Sequence, residues 1–131
     1  MENNAAGIVL FAHGSRIDSA NEQVRVTARE MAQQGGYPLV EAAFLELAQP
    51  DLPSAVDRLA DRGAGRVVVV PYFLTLGTHM QRDLPVLLRE AADRHPGLEI
   101  SSTPPLDGHA ALIQILRDRA DAALGMVEEP A

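Results

Sequence analysis

Three side chains able to hold a divalent cation or take up a proton recur along this chain at one interval. They are His13 in GIVLFAHGSR, Glu46 in FLELAQP and His79 in FLTLGTHMQRDLP, and each step between them is 33 residues. A free imidazole titrates at about pH 6.5, so it gains and loses a proton at little cost near neutrality. Two imidazoles and a carboxylate suit a divalent first-row metal. The same set suits proton abstraction and relay. A regular strand–helix repeat produces equal spacing by itself, so the interval matters only if the fold returns all three groups to one edge.

The elements needed for that can be read from the apolar pattern. Short apolar runs at Ile8–Ala12, Val40–Leu45, Arg66–Tyr72 and Leu98–Ser102 read as strands. Four consecutive valines in RVVVVPY, with no polar face, suggest a strand covered on both sides. Between the strands, apolar residues recur at helical spacing: Ala20, Val24, Ala28 and Met31; then Val56, Leu59 and Ala60; then Leu84, Leu87, Leu88 and Ala91. Leu112, Ile115, Leu116 and Ala123 stripe a last helix. Gly35-Gly36 and Gly63 close two helices, and Asp51-Leu52-Pro53 opens one with proline in the first turn. Ser19 with Glu22, and Thr78 with Gln81, read as capping boxes, which places His79 at a helix start. A helix amino terminus disfavours imidazolium and so favours the neutral ring. Pro85 predicts a kink or a short first turn, and Gly77 a bend or close approach of a ligand.

The string βαβαβαβα implies an α/β fold, a four-stranded parallel sheet with helices on both faces. Residues 1–131 form a single domain with its core at about 7–124; Met1–Ala6 and Met126–Ala131 are expected to be loose ends. Ligands of such sheets bind beyond the carboxyl ends of the strands. His13, Glu46 and His79 all follow strands, and they converge if the first strand lies between the second and third.

Composition narrows the class of function. The net charge of −7 opposes a nucleic-acid surface, and 4% aromatic residues leave little for base stacking. Cysteine is absent, which excludes disulfides, thiolate ligands and a cysteine nucleophile. No apolar run approaches the roughly 20 residues of a membrane span, and Met1-Glu2-Asn3-Asn4 has no basic leader. A cytoplasmic protein with no membrane partner is expected.

Other motifs fall short. Gly14-Ser15 follows a strand, but neither G-x-G-x-x-G nor the P-loop pattern is present. His13-Gly14 lacks the preceding arginine of histidine phosphatases, and no G-x-S-x-G elbow exists for a serine hydrolase. His95 precedes Pro96-Gly97 and fits a helix end. His109 is read as solvated, with Asp107 or Gly108 capping the last helix. Arg16 and Arg82 suit either substrate carboxylates or surface ion pairs.

HGSR after the first strand, FLELAQPDLPSAVDRL around the second helix and VVVVPYFLTLGTHMQRDLP around the third strand resemble the small sirohydrochlorin chelatases. These are the short class II cobaltochelatases and ferrochelatases of cobalamin and sirohaem synthesis. The resemblance spans roughly Gly7 to Arg119, and P-x-F-L-x-x-G-x-H-x-x-x-D-x-P, Pro71 to Pro85, is its most specific part. It implies insertion of Co²⁺ or Fe²⁺ into sirohydrochlorin without ATP, with the metal as substrate and no organic cofactor; Ni²⁺ stays open. His13 and His79 match the family's two active-site histidines, and Glu46 its acidic position. Neutral His13 and His79 would accept the pyrrole protons or hold the metal transiently, and Glu46 would offset charge or relay protons. Arg16, Arg82, Thr78 and backbone N–H groups near Ser15 and Gly77 would receive the substrate's carboxylates. Longer members fuse two such halves, so a one-half chain implies a homodimer with its sites facing a shared cleft. The competing reading is a metal or tetrapyrrole carrier that binds without turnover.

Overall fold

A computed structural model describes residues 5–126. Its elements alternate: β1 (Ala5–Ala12), α1 (Asp18–Gly35), β2 (Leu39–Phe44), α2 (Leu52–Asp61), β3 (Ala64–Pro71), α3 (Thr78–Arg94), β4 (Glu99–Ser102) and α4 (Ala110–Ala123). The strands form one parallel sheet in the order β2-β1-β3-β4, so β1 does lie between β2 and β3. Ala5 and Ala6, expected in a loose end, instead register against Ala64 and Arg66 of β3. Met126 closes the last turn by donating its N–H to the Asp121 carbonyl at 2.9 Å. The rest of the expected loose ends, residues 1–4 and 127–131, lies outside the described residues.

Alternation of side chains along the strands divides the core between two faces. Val9, Phe11, Ala43, Val67 and Val69 face α2 and α3, where they meet Leu52, Val56, Leu59, Met80 and Leu84. Leu10, Ala12, Ala42 and Phe44 face α1 and meet Ala28. Val68 and Val70 stay half-buried. The four-valine strand is therefore covered fully on one side only, because α1 packs on β2 and β1 and does not extend across β3. Among the described residues, α4 buries none of its own, and no strand or helix packs extensively along it.

Several helix ends differ from the motif reading. α1 begins at Asp18 with Ile17 at the cap and no side-chain cap bond, so Ser19–Glu22 is not a capping box. Glu22 is drawn into ion pairs with Arg29 and Arg25 at 3.1 and 3.4 Å. Gly36 closes α1 in the left-handed region at φ 71°, as its glycine pair suggested. Asp51 caps α2 by accepting the Ser54 N–H at 2.9 Å. α3 runs unbroken through Pro85. His109, rather than Asp107 or Gly108, caps α4: its Nδ1 accepts the Ala111 N–H at 3.0 Å. His95 ends α3 as expected, and its Nε2 also meets Asp57 Oδ1 on α2 at 2.6 Å.

Candidate functional site

The carboxyl edge of the sheet carries three loops. β1 runs directly into the first of them, His13 to Ile17. The His13 carbonyl accepts the Glu46 N–H at 3.1 Å, one residue beyond the bond from Leu45 N–H to the Ala12 carbonyl at 2.9 Å. The β1–β2 ladder thus continues past its last strand pair and fixes Glu46 beside His13 through the backbone. Gly14 permits this approach. It stands at φ +93°, and a Cβ there would lie 1.7 Å from the Glu46 carbonyl oxygen. No side chain fits, and an L-residue disfavours that backbone region in any case. Leu47, next to Glu46, also lies at positive φ, 67°.

The loop's far end is held by a residue that the sequence reading passed over. Asn21 is 3% exposed and grips Ser15 at both backbone groups: its Oδ1 accepts the Ser15 N–H at 2.9 Å, and its Nδ2 donates to the Ser15 carbonyl at 2.8 Å. Ser15 Oγ accepts the Ile17 N–H at 3.0 Å. The Ser15 N–H is therefore committed within the loop and is not offered to a substrate carboxylate, contrary to expectation. The Ser15 hydroxyl keeps its own proton to donate. Arg16 is exposed and, among the described residues, has no ion-pair partner.

His13 is exposed, with its ring centroid 4.5 Å from that of Phe73 at 52°. Phe73 is buried and meets Phe11 edge-on at 5.9 Å. An aromatic stack thus supports His13 from the core side and leaves its nitrogens outward. Among the described residues those nitrogens have no protein partner, so the ring presents lone pair and proton to whatever enters.

His79 lies in the first turn of α3. Gly77 is the cap residue there, so the Thr78–Gln81 pair is not a capping box; Gln81 instead returns its Nε2 to the Leu76 carbonyl at 3.1 Å. Gly77 has φ −73°, with open space where a Cβ would stand, so neither a bend nor internal crowding demands glycine. Gly77, Thr78, His79 and Arg82 are all exposed. Arg82 Nη2 is 3.0 Å from His79 Nδ1. A guanidinium only donates, so Nδ1 is the acceptor and the neutral ring carries its proton on Nε2.

The fold therefore locks His13 and Glu46 together and presents His79 on the same edge, while the three side chains share no hydrogen bond. Among the described residues no three His, Asp or Glu groups close around a metal position. Phe73 and Asn21 are the two contributors the motif reading missed. Phe73 had a signal, since it sits inside the Pro71–Pro85 string. Asn21 had none beyond being a polar residue in an amphipathic helix.

A parallel 2-1-3-4 sheet carrying a histidine loop after β1 and a histidine at the start of α3 is the architecture of a chelatase-like α/β protein. Residues 7–123 match the CbiX family, and the chain belongs to it. It is 37% identical over 125 residues to the chloroplastic sirohydrochlorin ferrochelatase of Arabidopsis thaliana, covering 95% of this chain and 56% of that protein. It is 33% identical over 120 residues to the sirohydrochlorin cobaltochelatase of Sulfolobus acidocaldarius, covering 92% of this chain and 94% of that one. The structure of the sirohydrochlorin chelatase SirB from Bacillus subtilis in complex with cobalt superposes with a TM-score of 0.81 at 26% identity, over 91% of this chain and 51% of SirB. The chain thus spans about half of the plant and B. subtilis proteins and nearly all of the archaeal one.

Proposed function

We propose that the chain inserts Co²⁺ or Fe²⁺ into sirohydrochlorin without ATP or an organic cofactor, as a cytoplasmic homodimer of single chelatase-like domains. The reaction exchanges two pyrrole N–H protons for one divalent ion, so the site must take protons and surrender metal. The observation that carries this reading is the locked pairing of His13, just past the central strand β1, with Glu46, just past its neighbour β2, on the carboxyl edge that also bears His79. His13, whose ring nitrogens have no partner among the described residues, is suited to receive the ion or the first proton. Glu46 is held where its charge offsets the ion. His79 presents Nε2–H while Arg82 holds Nδ1, so it first meets the substrate as a hydrogen-bond donor. It becomes a ligand or base when Arg82 turns to a substrate carboxylate. Arg16 and Arg82, with the Ser15 hydroxyl and the backbone at Gly77 and Thr78, are the groups available to the macrocycle's acidic side chains. A set this open favours transfer over retention, since a complete ligand shell would keep the metal.

The test is anaerobic metal insertion, followed by the absorption change of sirohydrochlorin with Co²⁺, Fe²⁺ and Ni²⁺ in turn. The protein is expected to accelerate insertion over free metal, and His13→Ala to lose about 10²-fold or more of that rate, the range of a positioned acid or base. Stoichiometric binding with no rate gain would replace this reading with a carrier. A His13→Ala/His79→Ala double variant working at the wild-type rate would place the chemistry elsewhere.

A further inference from the structure

We infer that a pocket on the outer side of β2, between α1 and α2, binds a phosphate group, either the free ion or the phosphomonoester of a small metabolite. The site lies apart from the histidine edge and stands whether or not the chain inserts metal.

The chain's 11 Lys and Arg residues are all arginine, in a protein of net charge −7. Four of them flank β2. Arg25 and Arg29 stand one turn apart on α1, and Arg58 on α2 stands one turn before Arg62 at its C-cap. Like charges at that spacing repel and disfavour the helix that bears them, so local structure does not ask for either pair. Only two carboxylates answer the four guanidiniums in ion pairs. Glu22 meets Arg29 and Arg25 at 3.1 and 3.4 Å, and Glu41, on β2 itself, meets Arg62 and Arg58 at 3.3 and 3.5 Å. Two positive charges are left over. These contacts are long for charge-assisted bonds, which run about 2.7–2.9 Å. Arg94 with Asp57 shows the committed form at 2.8 Å. A guanidinium has five N–H donors, and Arg58 makes only its long ion pair among the described residues.

Three of these arginines, Arg25, Arg29 and Arg58, line a cavity of about 260 Å³ with Glu41, Ala42 and Gln49. β2 is an edge strand, and its outer backbone faces this space. Leu45 N–H bonds inward to the Ala12 carbonyl at 2.9 Å, while Phe44 N–H bonds outward to the Pro50 carbonyl at 2.9 Å. Backbone groups alternate in direction along a strand, so the N–H groups of Ala42 and Val40 also point outward. Neither has a ladder partner on that side among the described residues, and an edge strand leaves such donors open. Arg25 is already set beside them. Its guanidinium lies 5.1 Å over the Phe44 ring, and its Nη2 donates to the Gln49 carbonyl at 3.1 Å.

The shape and charge of the cavity select the occupant. It falls below the roughly 300–1,000 Å³ of a pocket for a drug-sized ligand, so it takes a small group. Its donors come from three directions: guanidiniums on α1, a guanidinium on α2 and the N–H groups of β2 between them. A carboxylate is planar and is satisfied by a single guanidinium fork. A phosphate group spreads its oxygens in several directions and carries about −1.5 to −2 charges at neutral pH. It therefore matches both the divided donors and the two unanswered charges, and arginine is the side chain suited to it. Once filled, the pocket ties α1 to α2 across β2, so binding stabilises the folded chain.

Calorimetric titration with inorganic phosphate tests the site, in metal-free buffer with ionic strength held constant by chloride. One phosphate per chain is expected. A Kd of about 1 mM would raise the folded-to-unfolded ratio about elevenfold at 10 mM phosphate, read as a higher melting temperature than in chloride alone. Arg29→Gln and Arg58→Gln, both at exposed positions, should each weaken binding about tenfold, the scale of one hydrogen bond to a charged group. Arg89→Gln, exposed on α3, and Arg16→Gln/Arg82→Gln at the histidine edge should bind as wild type does. Should a glutamine variant fail to fold, Arg58→Lys keeps the charge without the fork and should still bind more weakly; wild-type affinity in it would overturn the inference. So would the absence of saturable binding, or binding that survives Arg29→Gln/Arg58→Gln. An equal loss in Arg89→Gln would overturn it in favour of general charge attraction, and a loss confined to Arg16→Gln/Arg82→Gln would move the phosphate to the histidine edge. Glycerol 3-phosphate separates the two sources: affinity equal to or above that of phosphate assigns the pocket to phosphomonoesters, and lower affinity to the free ion.

Discussion

His79 accepts a hydrogen bond at Nδ1 from Arg82 across 3.0 Å, one turn along α3. Because a guanidinium has no lone pair to offer, this contact fixes the tautomer of a neutral His79 with its proton on Nε2. The two histidines of the candidate site are therefore inequivalent: among the described residues His13 has no partner at either nitrogen, and His79 is set as a donor. Arg82→Ala should release Nδ1. Long-range ¹⁵N correlation spectra should show His79 moving from the Nε2–H form to a mixture of tautomers, with His13 unchanged. If Arg82 also receives a substrate carboxylate, kcat/KM should fall about tenfold, near 1.4 kcal/mol, which is the scale of one hydrogen bond to a charged group. An unchanged His79 spectrum would refute the tautomer assignment whatever the rate.

Gly14 and Glu46 touch through the backbone, so the first loop tolerates no side chain there. Gly14→Ala would place Cβ 1.7 Å from the Glu46 carbonyl and hold alanine at φ +93°. The backbone region alone costs about 1–2 kcal/mol, and the clash must push the loops apart as well. Gly36→Ala is the control, since φ is +71° but nothing lies within 4 Å. Urea unfolding should show Gly14→Ala losing at least twice as much stability as Gly36→Ala. Equal losses would mean that the Gly14 loop relaxes freely and does not fix Glu46 beside His13.

Asn21 holds the same loop from beneath with two hydrogen bonds to Ser15. Asn21→Leu strands the Ser15 N–H and carbonyl and should cost about 1–3 kcal/mol. Asn21→Asp is the sharper variant. Its carboxylate can still accept the Ser15 N–H, but it faces the Ser15 carbonyl with an acceptor where a donor stood, so it should not restore the loss. Thermal unfolding of both variants tests this, and an Asn21→Asp protein as stable as wild type would show that the Ser15 carbonyl bond contributes nothing.

The positions of His13, Glu46 and His79 were legible because each follows a strand whose apolar pattern is unambiguous, and a parallel sheet returns every such loop to one edge. The supporting contacts were not legible, since they depend on pairs distant in the chain. Phe73 reaches His13 across 60 positions of sequence, and Asn21 was hidden within an apparent Ser19–Glu22 capping box whose partners proved to be Arg25 and Arg29. α4 shows the same limit on a larger scale. The stripe at Leu112, Ile115, Leu116 and Ala123 says that the helix has an apolar face, but periodicity does not say which surface will receive it.

Asp51 gives the pH dependence that follows most directly from the structure. It caps α2, and the Ser54 side chain, then the Ser54 N–H, hold its carboxyl below the ordinary carboxylate range. A depressed carboxyl contributes stability that is fully present above the unfolded pKa of about 3.9 and is lost as pH falls through the lower folded value. Asp51→Ala should therefore cost about 1 kcal/mol at neutral pH, the usual scale of an N-cap. Because α2 supplies Leu52, Val56 and Leu59 to the main core, loosening its first turn should register in global unfolding. The gap between wild type and Asp51→Ala should narrow as unfolding is repeated below pH 4, while Asp51→Asn, which keeps the oxygen acceptor without the titration, should hold most of its stability across the same window. A gap that stays constant into strong acid would show that the charge of Asp51 plays no part in holding α2.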